Sequence, residues 1–221
     1  MNKGNPKIKR SESMPLRVSI TAVIRKKIFS GEYPPGHSLS LTKVAEELHV
    51  SRTPVREAFQ TLESEGLLEL RLNRSAIVNG ITSQYIRDHY ELRILLEGEA
   101  AALATRNHLD AFTLLEQAKK LPPLIKENLE PYRNFNQQLH LSIWKAAGNA
   151  KMESILLSLW NGPSFGRNIS EMEHTYLSHQ EHMELLTAIS EDRPEKARFI
   201  MQGHIRRSMN NILASFHNND H

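Results

Sequence analysis

Residues 49–68 read HVSRTPVREAFQTLESEGLL. Two arginines and two hydroxyl side chains crowd around Pro54, and an amphipathic pattern follows at once. With Ser51 as N-cap and a turn of about 100° per residue, Val55, Ala58, Phe59 and Leu62 share one face at i, i+3, i+4 and i+7. Arg52, Thr53, Arg56 and Gln60 fall on the opposite side. Pro54 lies in the first turn, where a missing N–H does no harm. The spacing therefore predicts a helix with one anchored face and one free cationic face, stopped at Gly66. Such arginines can address guanine O6/N7 bidentately or hold phosphates, and the free N–H groups of a helix start add an anion site. A capped surface helix with solvated arginines fits the same pattern, so the neighbouring sequence has to decide.

Upstream, a helix is predicted from about Val18 to Ser30, with Ile20, Val23, Ile24 and Ile28 at helical spacing. The turn-rich stretch GEYPPGHSLS ends it. A short helix, LTKVAEELHV, follows with Thr42 as its expected N-cap. Downstream, Leu67–Leu72 and Ala76–Ile81 read as two strands joined through Asn73-Arg74-Ser75. Helix, short helix, turn, helix and hairpin is the order of a winged helix-turn-helix. Residues 1–15 read as a basic flexible arm, 16–80 as this domain, and 81–221 as a second domain made only of helices. The fold class expected is mainly α.

Charge divides the same way. The net charge of +3 over 221 residues splits into +5 for residues 1–80, from 13 basic against 8 acidic side chains. Residues 81–221 carry −2, from 15 against 17. A basic N-terminal third is the asymmetry that nucleic-acid binding produces. Cysteine is absent, which excludes disulfides and thiolate metal sites and fits a cytoplasmic protein. No apolar run approaches the ~18 residues of a membrane span, and the polar, basic N-terminus does not look like a secretory signal.

Three blocks carry a family resemblance: G-E-Y-P-P-G-x-x-L at 31–39, V-A-E-E-L-x-V-S-R-T-P-V-R-E-A at 44–58 and L-E-S-E-G-L-L at 62–68. They resemble the DNA-binding domain of the GntR family of bacterial transcription regulators. The resemblance implies that Arg52, Thr53 and Arg56, with Ser51 at the helix start, contact operator DNA, and that Thr42 lies near the phosphate backbone. It also implies a wing contact from Arg74 and Ser75. The family usually carries a glycine at the wing tip where this chain has Ser75, and glycine permits the positive φ that brings backbone close to DNA.

The second domain concentrates nine of the eleven histidines. Asn136 and His140, at i and i+4, share one face of a predicted helix, flanked by Leu139, Ile143 and Ala147. His182 lines up with Leu185, Leu186 and Ile189, and His204 with Ala197, Ile200 and Met201. Three helices thus each direct one histidine toward the core. Each buried imidazole needs a partner, met either by separate hydrogen bonds or by one shared divalent cation. His108, His174, His179, His217 and His221 are expected at the surface. No Asp or Glu stands at helical spacing beside the three histidines, and Glu181 adjoins His182 on a different face, so a metal-dependent hydrolase would lack its general base. Arg93 can pair with an acidic effector or, at i+4, with Glu97.

LRILLEGEAAALA (92–104), N-x-x-L-H-x-x-I-x-x-A-A-G-N (136–149), E-H-x-x-L-L-x-A-I (181–189) and A-x-x-x-M-x-x-H-I (197–205) resemble the FCD effector domain of the FadR-type branch of that family. Many members bind a divalent metal through an Asp and three His. That implies Asn136, His140, His182 and His204 here, with an amide where the family has a carboxylate. A neutral amide leaves the cation its full 2+ charge. Imidazole with oxygen ligands suits Zn, Ni, Fe or Mn. The function expected is a cytoplasmic, homodimeric, ligand-responsive repressor, not an enzyme, that binds a short palindromic DNA operator and answers to a small organic acid. A metal sensor without an organic effector, a metal-dependent hydrolase with a DNA-binding appendage and an architectural DNA-binding protein are the alternatives.

Overall fold

The computed structural model describes residues 16–72, 75–122, 128–160 and 171–217, with side chains to 214. The chain divides into two compact units, with the break between Thr82 and Ser83.

In the first unit, α1 (Leu16–Phe29) leads through β1 (Ser38–Ser40) into α2 (Leu41–Glu47) and α3 (Arg52–Ser64). The antiparallel strands β2 (Leu68–Arg71) and β3 (Ser75–Val78) follow, and the sheet order is β1-β3-β2. Strand β3 sits centrally, with Leu39 opposite Ala76 on one side and Leu70 opposite Ala76 on the other. The three-residue β1 is too short to alternate visibly in sequence. Thr42 does not cap α2. Ser40 does, its Oγ accepting from the Lys43 N–H at 3.5 Å, because the helix starts two residues earlier than the apolar pattern suggests.

Helix α3 buries Val55, Ala58, Phe59 and Leu62, the face its periodicity requires. Burying each large apolar side chain contributes ~1.5–3 kcal/mol. Gly66 ends the turn that closes α3, at φ +76°, a left-handed conformation that glycine adopts without steric cost. A half-buried ion pair fixes the far end of α3 to α1: the Arg25 guanidinium, 3% exposed, donates to both Glu65 oxygens at 2.6 and 2.8 Å.

The second unit contains α4 (Ser83–Arg106), α5 (Ala111–Ala118), α6 (Glu130–Ala146), α7 (Ala150–Leu159), α8 (Glu171–Ser190) and α9 (Pro194–His217). Helix α4 packs chiefly along α9, and α8 packs against α5 and α9. Small residues allow the first contact to be close: Ala100, Ala101, Ala102 and Ala104 of α4 are fully buried. A Cβ added at Gly98 would stand 2.6 Å from Gln202 Cγ. Gly148, at φ +71°, closes α6, and Asn149 caps α7 by accepting from the Met152 N–H. None of the described helices is long and apolar enough to cross a membrane.

Candidate DNA-reading face and histidine centre

The exposed side of α3 presents Arg52, Thr53, Arg56 and Gln60 together, with Ser51 before them. Ser51 is the N-cap residue but its side chain makes no capping bond. The orphan N–H groups of the first turn are therefore available to an external anion. Thr42, Ser51 and Arg52 line one surface concavity of about 480 Å³ at the α2–α3 turn, together with Glu46 and His49. Ser75 is half-buried in β3, opposite Ser40 and Arg71. Arg74 lies outside the described residues.

In the second unit the fold brings His140 of α6, His182 of α8 and His204 of α9 together, each offering a ring nitrogen within 4.8 Å of the others. All three are buried, at 1%, 0% and 6% exposure. Their ring centroids are 4.6–5.6 Å apart. Aromatic side chains wall the group: Trp160 lies 4.9 Å and Trp144 6.1 Å from the His140 ring, and Tyr132 stacks on His182 at 6.1 Å.

The outward nitrogens are engaged. His140 Nδ1 is 2.6 Å from Glu97 Oε2, and His204 Nδ1 is 2.6 Å from Glu181 Oε2. Each glutamate is held by an arginine, Arg93 on Glu97 at 2.7 Å and Arg207 on Glu181 at 2.5 Å. His182 Nδ1 faces the Tyr132 hydroxyl at 3.3 Å. His182 Nε2 is buried and has no hydrogen-bond partner among the described residues. An orphaned, fully buried imidazole nitrogen facing two further imidazoles is the donor set a divalent cation requires. Asn136 lies half-buried one turn before His140.

Burial favours the neutral form of His182 and His204, while the neighbouring cations favour the ionised form of Glu97 and Glu181. Burial would raise the Glu97 carboxyl, but the charges of Arg93 and His140 outweigh it and hold it at about 2. Glu181 is likewise held at about 2, by His204 and Arg207 against the opposing effect of burial. Burial, with the charge of His204 and His140 added, pushes His182 well below the ordinary histidine value. His204 is lowered by burial against the pull of Glu181.

Two models of known families match this chain. "Bacterial regulatory proteins, gntR family" covers residues 16–78, and the FCD domain covers residues 88–207. The chain belongs to the GntR family of bacterial regulators, in the branch with an FCD domain. Among relatives, the Nta operon transcriptional regulator of Aminobacter aminovorans is 26% identical over 83% of this chain and 88% of its own. The probable D-xylose utilization operon transcriptional repressor of Paenarthrobacter nicotinovorans is 32% identical over 61% and 58%. The gluconate operon transcriptional repressor of Bacillus licheniformis is 28% identical over 65% and 58%. In fold, the regulator is similar to E. coli McbR/YncC, with TM-score 0.68 at 22% identity over 92% and 99% of the two chains. It is also similar to the metal-free FCD domain of TM0439, with TM-score 0.53 at 21% identity over 63% and 99%.

Two sequence expectations for this GntR-family regulator need correction. His174 and His179 are not surface residues: they are 8% and 7% exposed, and Arg207 Nη1 stands 3.3 Å from His174 Nδ1. Glutamates do stand beside the histidines, because Glu97 arrives from α4 and Glu181 from the helix next to His204. Helical spacing within one element cannot reveal partners that come from another. The carboxylates are present but are tied to arginines and to Nδ1 atoms, so neither is a free base. Of the two partners open to Arg93, the i+4 pair with Glu97 is the one made; Arg93 is itself buried, with its guanidinium 5.2 Å from the Tyr90 ring and 5.7 Å from that of Trp160.

Proposed function

We propose that this regulator is a cytoplasmic homodimeric repressor whose DNA binding answers to a small organic acid held at a divalent cation in the FCD domain. The convergence of three buried imidazoles on a nitrogen with no protein partner carries the reading of the control site. Arg52, Thr53 and Arg56, with Ser51, Thr42 and the wing residues Arg74 and Ser75, are assigned to operator DNA. Paired helices α3 of two copies would read two half-sites of a short palindrome. Two of the relatives are named as repressors of a gluconate operon and of a D-xylose utilization operon, which supports repression tied to a small organic compound.

His140, His182 and His204, with the Asn136 amide as fourth ligand, are assigned to Zn, Ni, Fe or Mn. When bound, the cation supplies a positive centre for a carboxylate effector. The chain's own residues do the rest. Burial favours the neutral, ligating form of His182 and His204, the tryptophans restrict water, and Arg93 stands beside the centre while it holds Glu97 in place. The effector must prefer one arrangement of the dimer, since equal affinity for both shifts nothing. A thermal-shift screen of small carboxylates, run with and without chelator and followed by operator footprinting, tests this reading. A hit that depends on the metal and changes operator occupancy supports it. Carboxylates that neither shift the protein nor alter the footprint overturn it.

A further inference from the structure

We propose that Glu97 and Glu181 are positioning residues that preset the centre, each holding its histidine as the Nδ1–H tautomer so that the Nε2 lone pairs converge. The metal assignment above is the reading on which this rests, although the tautomers exist with or without a metal. A neutral imidazole has one donor nitrogen and one acceptor nitrogen, and the partner of one decides the state of the other. An ionised carboxylate only accepts. At 2.6 Å from Nδ1 it places the proton there and leaves Nε2 bare, in His140 and again in His204.

Each carboxylate is in turn fixed. Glu97, 0% exposed, uses Oε2 for His140 and Oε1 for Arg93 Nε and Nη2, at 2.8 and 2.7 Å. Glu181 uses Oε2 for His204 and takes Arg207 Nε on Oε1 at 2.5 Å and Nη2 on Oε2 at 2.7 Å. The motif arginine–glutamate–imidazole thus occurs twice, built from different helices. His182 lacks it and has only the Tyr132 hydroxyl. Two carboxylates against two guanidiniums add no net charge, so the pairs orient the ligands without neutralising a bound cation. A buried Arg93–Glu97 pair serving stability alone would not need its second oxygen spent on His140. Glu181, with solvent within reach at 24% exposure, nevertheless bonds the histidine.

The test uses the full chain and three variants: Glu181→Met, Glu97→Gln and the double change Arg93→Met with Glu97→Met, which leaves no unpaired buried charge. Long-range 15N–1H NMR on the metal-free protein reads the tautomers directly. The wild type should show Nδ1–H at His140 and His204, and Glu181→Met should turn His204 into a mixture. Co(II) affinity, measured by chelator competition, should weaken about 10–100-fold in each variant, the scale on which outer partners of metal-bound histidines act. The visible d–d spectrum should change with it. Circular dichroism confirms the fold, and if the double variant does not fold, Glu181→Met decides alone. Folded variants with wild-type tautomers, Co(II) affinity and spectrum would overturn the proposal. A wild type that takes up no Co(II) overturns the metal reading instead, while the NMR result still decides the positioning role.

Discussion

Helix α3 and the histidine centre are opposite ways of building a functional surface. On α3 every proposed contact falls within six consecutive residues, Ser51 to Arg56, displayed outward by a helix whose other face is buried. In the centre, partners come from positions 43 and 23 residues apart, Glu97 with His140 and Glu181 with His204, and its three imidazoles are buried. The first kind of site depends on one helix being anchored. The second depends on four helices holding their spacing at once. A surface of the first kind loses function residue by residue, whereas the second is expected to fail as a unit.

The largest effect expected is at the centre. His140→Ala with His204→Ala should reduce bound metal from one equivalent to none by elemental analysis of untagged protein. Unchanged stoichiometry would place any metal elsewhere. Next is the anchor of α3. Phe59 is 1% exposed, and Phe59→Ala should destabilise by ~3–5 kcal/mol, read as a lowered denaturant midpoint for the signal of the first unit. The free face should behave differently. Arg52→Ala and Arg56→Ala should each cost ~1–3 kcal/mol of operator binding with no loss of thermal stability. Footprints that survive both changes would remove α3 from the role of reading head.

Acid should separate the two regions further. Burial and the charge of Arg207 lower His174 to about 4, so the fold favours its neutral form, as it does for His182. The unfolded chain takes up these protons near the ordinary value of ~6.5. Stability from these groups is therefore complete above ~6.5 and lost as pH falls toward 4. Glu97 and Glu181, both held at about 2, contribute stability present above the ordinary carboxylate range and lost as pH falls toward 2. Denaturant titrations of chelated protein at pH 7.5, 5.5 and 4 should show the second unit weakening first. A flat response would mean that the imidazoles are hydrated in solution. The smallest effect expected is at Gly203, exposed within α9, where an added Cβ meets nothing within 4 Å. Gly203→Ala should stabilise by ~0.5–1 kcal/mol, and a loss instead would show that another backbone approaches this point.

The same contrast explains what the sequence made legible. Period alone gave the buried and free faces of α3, because one helix contains the whole pattern. Period also directed His140, His182 and His204 inward. It could not supply Glu97 or Glu181 as partners, since their pairing depends on how α4 and α8 are placed against α6 and α9. His174 and His179 misled for a related reason: α8 is buried over about half of its circumference, an arc wider than its apolar stripe, and both lie at the margins of that arc. β1 escaped notice because the alternation of three residues, SLS, is too short to stand out from a turn-rich stretch.

Gly98 stands next to Glu97 in the chain, where α4 packs against Gln202 of α9. A single methyl there would meet Gln202 Cγ at 2.6 Å, so any larger residue must lever the two helices apart or displace Gln202. A hydrogen bond of 2.6 Å between Glu97 and His140 has little slack. The Gln202 side chain has its place beside α4 only because position 98 has no side chain at all. Anyone redesigning this pocket for a new effector has to keep position 98 small or change Gln202 with it.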